Sequence, residues 1–215
     1  MKILLTGVTG YIGQQFLRSL LEQGHDLIFC LQHKKRFFFR EKFENNFSVI
    51  DVDFIKPESL AIIPNDIDVA YYFSDSTSCS SSKYDDEIER ISVIYFIEKM
   101  NKTNAGQIIY FSRIAHDKSS SKYFSSRKAI EDIFATSLIP ITILRASLPR
   151  IASFEILCYL VNKLPGIVSS KWLTIKEPIV VTDVLEFLVK SLLDPFTYNE
   201  CYMLTVRGLV MESQI

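Results

Sequence analysis

Met1-Lys2-Ile3-Leu4-Leu5-Thr6-Gly7-Val8-Thr9-Gly10-Tyr11-Ile12-Gly13 opens the chain with a short apolar run followed by three glycines at three-residue spacing. The run, bounded by Gly7, predicts a strand over Lys2–Thr6. Beyond the turn, Ile12, Phe16, Leu17, Leu20 and Leu21 recur at helical spacing, while Gln14, Arg18 and Glu22 point elsewhere. This predicts an amphipathic helix that ends at Gly24, a residue suited to a C-cap. A strand that feeds a glycine turn and then a helix start aims backbone N–H groups and a positive helix end at one point. The spacing predicts that Gly7 makes the turn, Gly10 admits a pyrophosphate and Gly13 lets the helix pack on the strand, with Thr9, Tyr11 and Ile12 in the same cradle. The alternative is a tight strand-to-helix turn that holds no ligand.

Working outward, apolar runs keep alternating with helical periods. Further strands are expected at Asp26–Leu31, Phe47–Val52, Asp68–Phe73, Gln107–Ser112 and Ile141–Arg145. A helix is expected from about Asp85 to Lys102, acidic in its first turn and basic in its last, with Ile88, Ile91, Ile94, Tyr95 and Phe96 against the sheet. Another is expected from about Tyr123 to Thr136, after the loop Ser119-Ser120-Ser121. The pattern predicts an α/β fold: a Rossmann-type, doubly wound parallel sheet with helices on both faces. From about residue 146 the alternation weakens and Pro149, Pro165 and Pro178 appear, so residues 146–180 are expected to form a small substrate-side cap on a single domain spanning 1–215.

Composition agrees with a globular domain: 215 residues, 48% hydrophobic, enough to bury a core without disulfides or metal. With 24 basic and 25 acidic side chains there is no broad positive field, which argues against nucleic acid as a partner. Cys30, Cys79, Cys158 and Cys201 are scattered, as suits a reduced, cytoplasmic setting. His25, His33 and His116 have no metal-ligand spacing with cysteines or acids, so no metal site is expected. No apolar run approaches the roughly 20 residues of a bilayer span, and no signal peptide precedes the first strand, so no membrane partner is expected.

The end of the second strand bears on which dinucleotide is bound. An acid about 20 residues past the turn would chelate the ribose hydroxyls of NAD. Here the chain reads Gln32-His33-Lys34-Lys35-Arg36, and no carboxylate returns before Glu41. His33, Lys34, Lys35 and Arg36 therefore favour the extra phosphate of NADP, with NAD possible, against the alternative of a solvated basic loop.

The Gly-x-x-Gly-x-x-Gly turn resembles that of the extended and atypical short-chain dehydrogenase/reductases, and within them the proteins related to nucleoside-diphosphate-sugar epimerases and NmrA-like proteins. Softer agreements are Asp53-Phe54-Ile55-Lys56-Pro57-Glu58-Ser59-Leu60, Asp68-Val69-Ala70-Tyr71-Tyr72-Phe73, Ile108-Ile109-Tyr110-Phe111-Ser112, Leu144-Arg145-Ala146, Ser153-Phe154-Glu155 and Pro178-Ile179-Val180-Val181-Thr182-Asp183-Val184. The resemblance implies that Asp53 and Phe54 border the adenine, that Phe73 and Ser74 run beside the cofactor ribose, and that Ser112 faces the nicotinamide. For Asp53, capping of the turn at Pro57 is an equal reading. Asp183 is expected as a helix N-cap rather than a catalytic acid.

Active members of that superfamily use Tyr-x-x-x-Lys, residues four apart sharing a helix face. This chain has Tyr123-Phe124-Ser125-Ser126-Arg127-Lys128, with Arg127 in the lysine's place. A guanidinium supplies charge but does not release a proton. The resemblance makes Ser112, Tyr123 and Arg127 the candidate catalytic set, with Arg127 also a candidate cofactor contact and Tyr123 alternatively a surface or packing residue. Two functions follow: an NADP-dependent oxidoreductase or epimerase-like enzyme acting on a small-molecule substrate, or a non-catalytic NAD(P)-binding redox-sensing module of the NmrA-like kind.

Overall fold

The computed structural model describes residues 1–7, 11–32, 47–73, 83–113, 121–146, 181–205 and 208–212. The strands are β1 (Lys2–Thr6), β2 (Asp26–Leu31), β3 (Phe47–Asp51), β4 (Val69–Phe73), β5 (Gln107–Arg113), β6 (Ile141–Ala146), β7 (Glu200–Thr205) and β8 (Gly208–Glu212). They form one sheet in the order β3-β2-β1-β4-β5-β6-β7-β8. Among the described residues only the β7–β8 pairing is antiparallel, and the other seven strands run parallel. The helices are α1 (Tyr11–Glu22), α2 (Lys83–Met100), α3 (Ser121–Phe134) and α4 (Val181–Lys190), with a 3₁₀ segment at Pro57–Ile62.

Strand periodicity divides the core into two layers. Ile3, Leu5, Leu27, Phe29, Tyr71, Phe73, Ile109, Phe111 and Leu144 pack with Phe16, Leu17 and Leu20 of α1 and Val184 and Leu188 of α4. Leu4, Ile28, Ala70, Tyr72, Ile108, Tyr110 and Ile143 pack with Val93, Phe96, Ile97 and Met100 of α2 and Ile130 and Phe134 of α3. Helices thus cover both faces, the Rossmann-type doubly wound arrangement. The strand order turns back between β1 and β4, which places a topological switch point at their carboxyl ends.

Most expected elements stand within two residues of their observed bounds. The end of α1 forms a Schellman turn: Gly24, at φ 75°, donates its N–H to the Leu21 carbonyl at 3.0 Å, and His25 N–H donates to the Leu20 carbonyl at 3.3 Å. The packing face of α2 differs from expectation. Of the series Ile88, Ile91, Ile94, Tyr95 and Phe96 only Phe96 is fully buried, and Ile94 is 40% exposed. Val93, Phe96, Ile97 and Met100 instead share the i, i+3, i+4, i+7 arc that meets the sheet. Continued back toward the helix start, the same arc carries Glu89 and Asp86.

The expected cap at 146–180 lies, beyond Ala146, outside the described residues. Alternation resumes at α4, where Asp183 lies inside the first turn rather than at the N-cap position, still close to the positive helix end. The segment after α4 is held to the amino end of the sheet by polar contacts. Gln107 Nε2 donates to Thr142 Oγ1 at 2.8 Å and Thr197 Oγ1 at 3.1 Å, and its Oε1 accepts from Leu193 N–H at 2.6 Å. Asn199, at φ 58°, accepts from Ile141 N–H on its side chain at 3.1 Å and donates its own N–H to the Ile141 carbonyl at 2.6 Å.

Candidate functional site

Three features meet at the switch point. Phe73 N–H donates to Thr6 Oγ1 at 3.2 Å, which ties the carboxyl ends of β1 and β4 together. Gly7 follows with φ 64°, and a Cβ there would lie 2.4 Å from the Phe73 carbonyl oxygen. The chain therefore leaves β1 with its backbone pressed onto β4 in a conformation that a side chain would block. The first turn of α1, into which this path leads, contains no acid, so no carboxylate of its own offsets the positive end of the helix dipole. Gly13 is buried in α1. Chemically, the arrangement suits a phosphate group lodged where β1 gives way to α1.

A second group lies two strands away, about 10 Å at ordinary strand spacing. Tyr110 and Ser112 alternate with Phe111 on β5, so both face the layer of α2 and α3. Ser112 is 2% exposed and Tyr110 fully buried. The Tyr110 ring stacks on Phe134 at a centroid distance of 4.4 Å. Its hydroxyl makes no hydrogen bond of good geometry, although Ser112, Arg127 and Glu89 are its polar neighbours. Burial pushes the phenol's pKa up, and the Arg127 guanidinium works in the opposite direction.

Arg127 is engaged by α2. Its Nη1 donates to Glu89 Oε1 at 2.7 Å and its Nη2 to Glu89 Oε2, a bidentate pair with both side chains 14% exposed. Beside it, Ser126 Oγ donates to Asp86 Oδ1 at 2.9 Å. One turn further along α3, Glu131 accepts from Arg145 of β6 through Nε at 2.9 Å and Nη2 at 2.6 Å. These contacts clamp α3 against α2 and β6. Tyr123 falls in the first turn of α3, and its side chain lies outside what is described.

The other candidates divide. Asp53 Oδ1 accepts from Ile55 N–H at 3.2 Å and Oδ2 pairs with Lys56 at 3.1 Å, so the acid closes the turn ahead of Pro57. Phe54 packs edge-on to Phe96 at 6.0 Å and Tyr72 at 6.4 Å. Phe73 packs beside Phe16, Tyr71 and Phe111 on the α1 side. Thr9, Gly10, His33, Lys34, Lys35, Arg36 and Ser74 lie outside the described residues, as does the side chain of Tyr11. Ile12 is buried in α1. Sequence reasoning missed Glu89, Asp86 and Tyr110. The helical arc traced back from Val93 would have exposed the two acids, which the opposite assignment of the α2 face concealed. Among the described residues no group of three or more His, Cys, Asp or Glu is placed to hold a metal, and no helix is long and apolar enough to cross a membrane.

Comparison with known proteins points the same way as the geometry. Residues 3–113 match the family model for the NAD dependent epimerase/dehydratase family. No curated protein matches the sequence. Among solved structures, a nucleoside-diphosphate-sugar epimerase from Staphylococcus aureus superposes with a TM-score of 0.67 at 15% identity, over 100% of this chain and 72% of that one. The Bordetella bronchiseptica enzyme WbmH, in complex with NAD+, gives 0.70 at 16% identity over 98% of this chain and 77% of its own. The enzyme WbmG of the same organism, in complex with NAD and UDP, gives 0.72 at 18% identity over 97% and 74%. At such identities the likeness is one of fold.

Proposed function

Because the chain belongs to the NAD dependent epimerase/dehydratase family, we propose that it binds a nicotinamide dinucleotide, NADP in preference to NAD, and acts as an oxidoreductase or epimerase-like enzyme on a small-molecule substrate. The observation that carries this reading is the exit of β1, where Gly7 lies against the Phe73 carbonyl ahead of an acid-free helix start. Thr6, Gly7, Gly10 and Gly13 would seat the pyrophosphate, with Thr9, Tyr11 and Ile12 completing the cradle. His33, Lys34, Lys35 and Arg36 would meet the 2′-phosphate of NADP by charge alone. Asp53, Phe54, Phe73 and Ser74 would flank the adenosine half, and Ser112 would face the nicotinamide. A nucleoside diphosphate sugar is the substrate class suggested by neighbours such as WbmG, held with UDP.

When bound, the dinucleotide supplies the hydride chemistry, and the chain supplies orientation and a proton. Ser112 would hydrogen-bond the reacting oxygen, and Tyr123 would be the proton donor. Arg127 sits four residues after Tyr123 and is already paired with Glu89, so it would bear on this site as a fixed charge rather than a proton carrier. That pairing is also the observation that favours a second reading, a dinucleotide-binding redox sensor without turnover.

Calorimetric titration with NADP and with NAD tests the proposal. Gly10→Asp should abolish binding, because a carboxylate would occupy the pyrophosphate position, and unchanged affinity in this variant would refute the cradle. Oxidation of NADPH with carbonyl, quinone or sugar-nucleotide substrates separates the enzyme from the sensor, since a sensor binds without consuming coenzyme.

A further inference from the structure

We propose that Tyr110 is a positioning residue for Ser112: its hydroxyl, set by the Arg127–Glu89 pair, orients the Ser112 hydroxyl as a hydrogen-bond donor toward the ligand at the strand ends. The proposal rests on the reading of Ser112 as a ligand contact. Tyr110 is fully buried, its ring is held by Phe134, and its hydroxyl lies among Ser112, Arg127 and Glu89 without a well-formed bond. A buried hydroxyl left in that state is costly, and native interiors leave few of them.

The donor inventory fixes the direction of the chain of bonds. A guanidinium only donates. Glu89 holds the Arg127 fork in place, so the Tyr110 oxygen meets Arg127 as an acceptor. With both Glu89 oxygens already accepting from the Arg127 fork, the acceptor left for the single Tyr110 proton is Ser112 Oγ. An oxygen that accepts from Tyr110 turns its own proton away from Tyr110, toward the carboxyl end of β5. Ser112 therefore presents a donor, and the group it recognises is an acceptor, such as a carbonyl or carboxamide oxygen. A small shift of the two side chains, with their freely rotating hydroxyl protons following, completes the chain. The Glu89 carboxylate contributes by holding the cation still, without touching the ligand.

A double-mutant cycle of Tyr110→Phe and Ser112→Ala in the full chain tests this. Phenylalanine keeps the ring on Phe134, so the variant removes only the hydroxyl. Each single change should lower Tm by about 2–4 °C, and the double variant should fall no further than the larger single one. In NADP titrations each single variant should bind about three- to tenfold more weakly, again with no additional loss in the double. Additive Tm losses, or a rise in Tm for Tyr110→Phe, would overturn the proposal, since both describe a hydroxyl that does not reach Ser112. If the unaltered protein binds neither NADP nor NAD, the coenzyme reading fails by itself, and the Tm cycle still decides whether the two hydroxyls are coupled.

Discussion

At the amino end of β5 the Gln107 carboxamide uses both donors and its acceptor, whereas three residues along the same strand the Tyr110 hydroxyl is buried without a well-formed partner. The same contrast holds across the sheet. The amino end is braced by Gln107, Thr142, Thr197 and Asn199, all bonded within the chain. The carboxyl end carries a glycine pressed onto a neighbouring carbonyl, a helix start without an acid, and a buried serine. A sheet end whose polar groups satisfy one another contributes stability. One that keeps a bare glycine turn ahead of an acid-free helix start has capacity for a ligand, and the carboxyl end is where open parallel sheets bind theirs.

Substitutions at each end test that division. The largest effect is expected from Glu89→Ala, which leaves the Arg127 guanidinium largely buried without its bidentate partner and should cost about 4 kcal/mol in denaturant unfolding. The paired change Glu89→Leu with Arg127→Met should recover most of this, because neither charge is then left to bury. If the pair of changes is as damaging as the single one, the clamp contributes packing rather than charge. Next, Gly7→Ala should lose on the order of 3 kcal/mol, from a left-handed backbone and a clash with the Phe73 carbonyl, and should weaken dinucleotide binding as well. Retained stability would mean that β1 and β4 can separate at no cost.

Gln107→Leu should cost about 2 kcal/mol, since Leu193 N–H loses its acceptor and two threonines lose a donor. Its dinucleotide affinity should be unchanged, and a parallel loss of affinity would break the distinction between the two ends. The smallest effect is expected from replacing Lys34, Lys35 and Arg36 together with alanine. NADP should weaken by about tenfold, roughly 1.4 kcal/mol, with little change for NAD. Equal losses for both coenzymes would remove the basis for preferring NADP.

Legibility followed the range of the interactions. β1 and β2 stand at their expected bounds, and the buried stripe Ile12, Phe16, Leu17, Leu20 and Leu21 faces the core as its period required. The Gly24 cap was equally local. The α2 face was misread because Ile88, Ile91 and Tyr95 form a plausible helical stripe, and only the docking of α3 decides between that stripe and the one through Val93. Strands β7 and β8 escaped notice because they follow a proline-bearing segment and take their places by long-range pairing, β7 on β6 and β8 on β7.

What the amino-acid order determined alone is the alternation of strand and helix, the glycine-bearing exit of β1 and the substitution of Arg127 for a lysine, because periodicity and backbone freedom are properties of neighbouring residues. What only the tertiary structure decided is that Glu89, 38 residues away in sequence, occupies that arginine and that Tyr110 lies beside them. Charges and hydroxyls on separate elements acquire partners only when helices dock, and docking is set by the shape of the buried faces rather than by any local signal.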